Sequence, residues 1–364
     1  MEKRTIIIAV AVAAIVIVAG ILVSGVLDPS RGKTIKYLDV PPVNQKAFMQ
    51  QGTIDGGVSW EPYVSDSVVA GTAKALIQSG EIWPNHPCCV VVADTRFTQS
   101  NPQTVAKVLK AHMEANLWIL NAIANKDTNP DDYELLLEIG ATFSDRSPEV
   151  VDAALQNMKL TYEITPETVS YLRMYTNSYI NASLIQSNRV PNVESFVNNI
   201  VDTNYLDMAA SVEPVADGTP LETVRIGYLQ GDLHQFARVV AEDSRVTEDG
   251  RTLFEIYGIR TENPSGMPSA GYANGGAVMT AFASDSNIQM AYLGSPPVLL
   301  QSANLGINVK ILALANTEGS ALVVAGDRTI DDLDGLTIGQ PGPSSIQYLL
   351  LVTIAEKYGY RLVR

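Results

Sequence analysis

The stretch "ETVRIGYLQGDLHQF", residues 222–236, is built like the start of a fold although it sits in the middle of the chain. Its first half alternates in the manner of a strand, Gly231 and Asp232 make a turn, and a helical pattern runs from about His234 to Glu242. Just ahead of it lies "SVEPVADGTP" (211–220), whose two prolines, glycine and two acids have the composition of a linker. A fresh alternation of strands and helices follows. "MAYLG", "VKILALA", "SALVVAG" and "LTIGQPG" read as strands, and the residues from about Ser344 to Tyr358 as a helix. An α/β unit needs a strand after that helix, and none is legible before the chain reaches "LVR" at 362–364.

The half that comes first has the complementary shape. "TIKYLDV" (34–40) reads as a strand without a preceding partner, "NQKAFMQQG" as a helix closed by Gly52, and "IDGGVSW" as a second strand. From Asn101 to about Tyr205 nearly everything is helical in pattern, beginning with an expected cap at Asn101 and Pro102 in the first turn.

Composition narrows the function classes. With 364 residues, two lobes are the default. Lys and Arg number 25 against 39 Asp and Glu, a net charge of −14, which argues against a nucleic-acid partner. Residues 5–27 carry no charge and follow Lys3 and Arg4, so they are long enough to cross a hydrocarbon core and favour a membrane anchor with a cytoplasmic N-terminus. A cleaved signal peptide is the competing reading, although its apolar region is usually shorter. No cysteine follows the segment, which excludes a lipoprotein anchor. The only cysteines, Cys88 and Cys89, are neighbours and cannot close a loop; the bland reading puts them on a half-buried strand, "CCVVVAD". His86, His112 and His234 are scattered without repeated ligand spacing, so no metal site and no cofactor is expected.

Several stretches together resemble the solute-binding proteins of ATP-driven importers for nitrate, taurine and aliphatic sulfonates: "VRIGYLQGDLHQF", "AYLGSPPVLLQSANLGINVKILALANTEGSALVV", "LDGLTIGQPGPSSIQYLLL", "TIDGGVSWEPYV" and "SGEIWPNHPCCVVVADTRFTQSNPQTV". The resemblance implies an α/β fold of the type II periplasmic-binding-protein class, two lobes with a cleft and hinge, and the body on the extracytoplasmic side of a membrane. In that family the "VRIGYLQ" strand comes first and the "DGGVSWEPY" part later; here the order is reversed. The implied organisation is a circular permutation: residues 1–32 anchor and linker, 33–210 the second-lobe portion with the C-terminal helices, 211–221 the join, and 222–364 the first lobe with the start of the second. Joining Arg364 to Lys33 would restore the family's order, and domain termini that lie close together make such a change tolerable.

Ligands of open α/β sheets bind beyond the carboxyl ends of strands, so loops at those ends are the candidates. "LGSPP" offers Ser295; "NTEGS" offers Thr317, Gly319 and Ser320; "PGPSS" places Ser344 and Ser345 at a helix N-terminus, suited to an oxyanion. "VSWEPY" contributes Trp60 and Glu61, which could wall the cleft and meet a positive group; packing and helix capping are their ordinary alternatives. In "YLQGDLHQF" the resemblance implies ligand contacts from Gln230, Asp232 and His234, while Trp83 and His86 shape the crossing between lobes. Each loop taken alone is also ordinary turn chemistry.

The function implied is capture of a small anionic ligand and its delivery to a permease with a cytoplasmic ATPase, since no Walker motif is present. The alternative is a thiamine-precursor binding protein or a related enzyme on the same fold. Against an enzyme, no nucleophile is paired with a base in the sequence. A sensor ranks last, because only about four residues precede the apolar segment.

Overall fold

In the computed structural model, which describes residues 32–284 and 286–364, the chain forms a mixed α/β body around two main sheets. The strands in chain order are β1 (Thr34–Asp39), β2 (Gly56–Trp60), β3 (Ala73–Gln78), β4 (Cys89–Asp94), β5 (Met158–Leu160), β6 (Glu222–Gly227), β7 (Ile259–Glu262), β8 (Met290–Gly294), β9 (Val309–Leu314), β10 (Asn316–Glu318), β11 (Ser320–Ala325), β12 (Thr337–Gln340) and β13 (Arg361–Val363). A six-stranded sheet has the order β13-β1-β12-β2-β11-β3, a five-stranded sheet β7-β6-β8-β4-β9, and β10 pairs with β5. The expected anchor falls outside the described residues, and among those no helix is long and apolar enough to cross a membrane.

Neither sheet is built from one half of the sequence. β4 comes from the first half yet lies antiparallel between β8 and β9. Its run of valines explains the position: a strand with neighbours on both edges and cover on both faces needs β-branched apolar side chains throughout. Cys88 and Cys89 are therefore buried outright, not half-buried. β11 makes the reverse crossing and lies antiparallel between β2 and β3. The two lobes are consequently tied together twice, just where the loops between β4 and β11 meet.

Two details differ from the sequence expectation. A strand does follow the last helix: β13 pairs parallel with β1, Thr34 opposite Arg361. It is only three residues long, too short for any periodicity to register. Because parallel strands meet start to start, the carbonyl of Lys33 accepts from Arg361 N (2.9 Å), while Arg364 reaches Asp39 at the far end (2.5 Å). On its other edge β1 pairs with β12, Lys36 opposite Thr337. The second difference is Asn101, whose side chain does not cap the helix Pro102–Ala124. It donates to Phe97 O (3.5 Å) and so closes the short helix that precedes it.

The helical region packs largely on the five-stranded sheet, and His112 is its buried polar anchor. Nε2 faces the carbonyl of Leu314 (2.8 Å), which can only accept, so that nitrogen carries the hydrogen; Nδ1 lies 3.3 Å from the Tyr292 hydroxyl. The neutral ring thus satisfies both partners, and burial lowers its pKa to about 4. An unfolded histidine titrates near 6.5, so the folded state gains this stability above that pH and loses it as pH falls toward about 4. The loss should reach roughly 3 kcal/mol, measured as a urea midpoint that falls from pH 7 to pH 4 and falls less in His112→Gln. An identical acid limb in the variant would contradict the assignment.

Candidate functional site

A small cavity opens where the two crossings meet, with walls from both lobes. It encloses about 30 Å³ and is lined by residues that include Trp60, Cys88, Cys89, Asp232, His234 and Gln347. That is room for about two water-sized groups. Larger open grooves exist, one of about 490 Å³ at the outer edge of the five-stranded sheet, but three acids, Glu242, Glu255 and Glu262, line it against one base, Arg260.

One wall is made of helix beginnings. Asn274 and Gly275 open the helix Gly275–Phe282, Gly294 and Pro297 the helix Ser295–Leu305, and Ser345, Ile346 and Gln347 the helix Ile346–Lys357. Asn274 Oδ1 accepts from Ala277 N (3.0 Å) and Ser345 Oγ from Tyr348 N (3.1 Å), so both helices carry side-chain caps. The first amides of a helix have no acceptor within it, and each helix start carries about half a positive charge. Three helix starts meet here, but only two bring first-turn amides, at 275 from the five-stranded lobe and at 346 from the six-stranded lobe: the helix Ser295–Leu305 begins Ser-Pro-Pro, its two prolines have no N–H, and Ser295 N donates to Cys88 O (2.7 Å). Tyr179 fixes the start at 346 by donating its hydroxyl to Ser344 O (2.8 Å). Among the described residues, neither the buried indole nitrogen of Trp60 nor the buried hydroxyl of Ser295 has a hydrogen-bond partner.

The opposite wall is chemically different. His234 Nε2 donates to Gly319 O (2.9 Å), and Nδ1 lies 3.3 Å from Cys88 Sγ and 4.0 Å from Cys89 Sγ. Asp232 Oδ1 accepts from His234 N (2.9 Å), and Oδ2 lies 3.6 Å from Cys89 Sγ. Burial alone would lower the His234 pKa, but Cys88 and Asp232 outweigh it and raise it to about 9. Cys88 is drawn well below the usual thiol range by its hydrogen bond with Cys89 and by His234, whereas that same bond and burial push Cys89 well above it. Burial lifts Asp232 to about 6.

Of the residues singled out in the sequence, Trp60, Asp232, His234, Ser344 and Ser345 line the cavity. Ser295 follows the lining Gly294, and Ser320 Oγ accepts from Gln347 Nε2 (2.8 Å). Gly319 touches the site through its carbonyl. Thr317 pairs with Lys159 between β10 and β5, away from the wall. Glu61 is buried behind Trp60, where its carboxylate accepts from Ser65 N (3.0 Å) and Asn157 Nδ2 (2.8 Å) and so holds the helix Tyr63–Val69. Gln230 is exposed, and only its backbone joins the lobes. Trp83 and His86 stack edge-on (5.9 Å) beneath the crossing. The sequence reading passed over Asn274 and Gln347, and it placed the cysteines on a strand without a partner; in the structure the ligand atoms of Cys88, Cys89 and His234 lie within 4.8 Å of one another. A separation of 145 residues hid them from any spacing rule.

Residues 10–130 match the NMT1-like family. The chain is 27% identical to the nitrate/nitrite binding protein NrtA of Nostoc sp. over 27% of its length and 22% of that protein's. It is 28% identical to NrtA of Synechococcus elongatus over 25% of its length and 20% of that protein's. A third relative, the bicarbonate transport ATP-binding protein CmpC of Synechocystis sp., is 30% identical over 24% of this chain and 13% of its own length. The matched stretch thus spans less than a quarter of each of these relatives. No solved structure matches. The resemblance read from the sequence stands: the chain is similar to solute-binding proteins of nitrate-type importers.

Proposed function

We propose that this chain is the extracytoplasmic solute-binding component of an ATP-driven importer, and that it closes its two lobes around a small oxyanion and presents it to a permease with a cytoplasmic ATPase. The observation that carries the reading is the convergence on one cavity of two helix N-termini with first-turn amides, at 275 and 346, one from each lobe. The names of the relatives point the same way, since nitrate and bicarbonate are both small, planar and trigonal. The cavity is small and leaves little room for an alkyl chain, which favours nitrate over taurine and longer sulfonates. Trp60 is the one aromatic side chain on the wall among the described residues, which gives little support to a flat heterocycle of the thiamine-precursor kind.

We read the permuted order in the same proposal: residues 222–364 act as the first lobe and the start of the second, and residues 33–210 as the remainder. The pairing of β1 with β12 fits that order, whereas β13 runs parallel beside β1 and carries Arg364 to the end of β1 away from Lys33, so the two chain ends do not join directly in this register. The apolar N-terminal segment would tether the body outside the membrane through the six-stranded lobe.

Isothermal titration of the full chain with nitrate, bicarbonate, taurine, an alkanesulfonate and a thiamine precursor tests the reading. Nitrate or bicarbonate should bind most tightly; heat from the thiamine precursor alone would replace the oxyanion reading. Lobe closure gives a second expectation. Tyr63 Oη donates across the lobes to Gln230 O (2.8 Å), and a single such bond is worth about 1 kcal/mol. Tyr63→Phe should therefore weaken nitrate binding about fivefold, mostly by faster release.

A further inference from the structure

We propose that Cys88, Cys89 and His234 form a binding site for a thiophilic divalent metal ion of the zinc class, whose open coordination position faces the helix N-termini. The donor set stands on geometry alone. In a tetrahedral site with metal–sulfur bonds of about 2.3 Å and metal–nitrogen bonds of about 2.0 Å, ligand atoms sit about 3.5 to 3.8 Å apart. Cys88 Sγ and Cys89 Sγ lie 3.3 and 4.0 Å from His234 Nδ1, and all three donor atoms lie within 4.8 Å of one another, close to that spacing. The ring is oriented as a ligand's would be: Nε2 spends its hydrogen on Gly319 O, leaving Nδ1 aimed at the sulfurs. Asp232 holds the His234 backbone with one oxygen and stands beside Cys89 with the other. Two thiolates and an imidazole select zinc-like ions over magnesium or calcium, which require oxygen ligands.

All three donors also line the cavity, so three protein ligands leave a fourth position open toward Trp60, Gly275, Ser345 and Gln347. This supplies what the wall itself lacks. The cysteines and the Asp232 carboxylate give an oxyanion little attraction from this side, His234 is the one side chain of the lining that carries positive charge when protonated, and the lining contains no lysine or arginine among the described residues. A bound divalent ion neutralises the sulfurs and turns that wall cationic, so the oxyanion completes the coordination sphere while the helix amides hold its outer oxygens. This second part rests on the proposed oxyanion function; the metal site does not.

Cobalt(II) is the probe. Titrated into the reduced full-length chain, it should give one equivalent of thiolate-to-cobalt charge-transfer absorption that zinc displaces and that both Cys88→Ser and Cys89→Ser abolish. No such band, or a band that survives in both variants, overturns the site. Because either variant could unfold, the unaltered chain supplies an independent readout: zinc should raise its melting midpoint and magnesium should not. Equal effects of the two ions overturn the proposal. Nitrate titrated with zinc and again after chelation should differ in affinity at least about tenfold. Equal affinities overturn the bridging arrangement, whereas a cobalt band with no nitrate binding in either state rejects the oxyanion function and leaves the metal site standing.

Discussion

Gly319→Val is expected to abolish measurable nitrate binding, with affinity down about a hundredfold or more, and to lower stability by roughly 2–4 kcal/mol. Gly319 has φ +80°, a region that a β-branched residue enters only with strain. A Cβ at this position would lie 2.8 Å from Met158 Cβ and closer still to His234 Nε2, the atom whose hydrogen bond holds the ring against the cavity wall. The ring must move, and the wall moves with it. Gly326→Ala is the matched control: φ is +72° there, yet nothing lies within 4 Å of the added atom, so only the backbone term of about 1 kcal/mol remains and binding is unchanged. Titration calorimetry with nitrate and urea midpoints on the two variants separate the effects. Equal affinities for the two would show that His234 has no part in binding.

Arg238→Ala should cost roughly 3–5 kcal/mol, more than any other single truncation at a charged residue of this lobe. Its side chain is only 2% exposed, its guanidinium stacks on the Tyr228 ring at 4.0 Å and the Phe143 ring at 5.2 Å, and it pairs with Glu242 (2.5 Å). Alanine removes the charge, the stacking and most of the volume at once. Arg238→Met keeps the volume, and Glu242 is exposed enough to turn to water, so this variant should lose only about 1–2 kcal/mol. The change should also reach the cavity, because Arg238 Nε donates to Gln235 Oε1 (3.2 Å) and Gln235 Nε2 to the carbonyl of Leu229, a lining residue (2.6 Å). Nitrate affinity should therefore fall in both variants, by a similar factor of a few. Denaturant unfolding with methionine no more stable than alanine would contradict the packing argument.

Most of the local structure was legible. "TIKYLDV", "IDGGVSW", "MAYLG" and "VKILALA" all became strands, and the helix at 346–357 starts beside the serines that announced it, because periodicity, caps and turn glycines act over a few residues and leave their mark there. Asn101 was misread for a local reason too: two helices abut at that residue, and one amide side chain serves the earlier one. β13 escaped because three residues cannot display an alternation.

The sequence by itself determined the strands, the helices and their capped beginnings, the anion-suited loops, and the likeness to importer binding proteins. Only the tertiary structure decided that Cys88 and Cys89 meet His234, and that helix starts at 275, 295 and 346 share one cavity. The reason is physical. The crossings of β4 and β11 between sheets juxtapose groups about 145 residues apart, and a side-chain pattern records which face of an element is buried, not which distant element buries it.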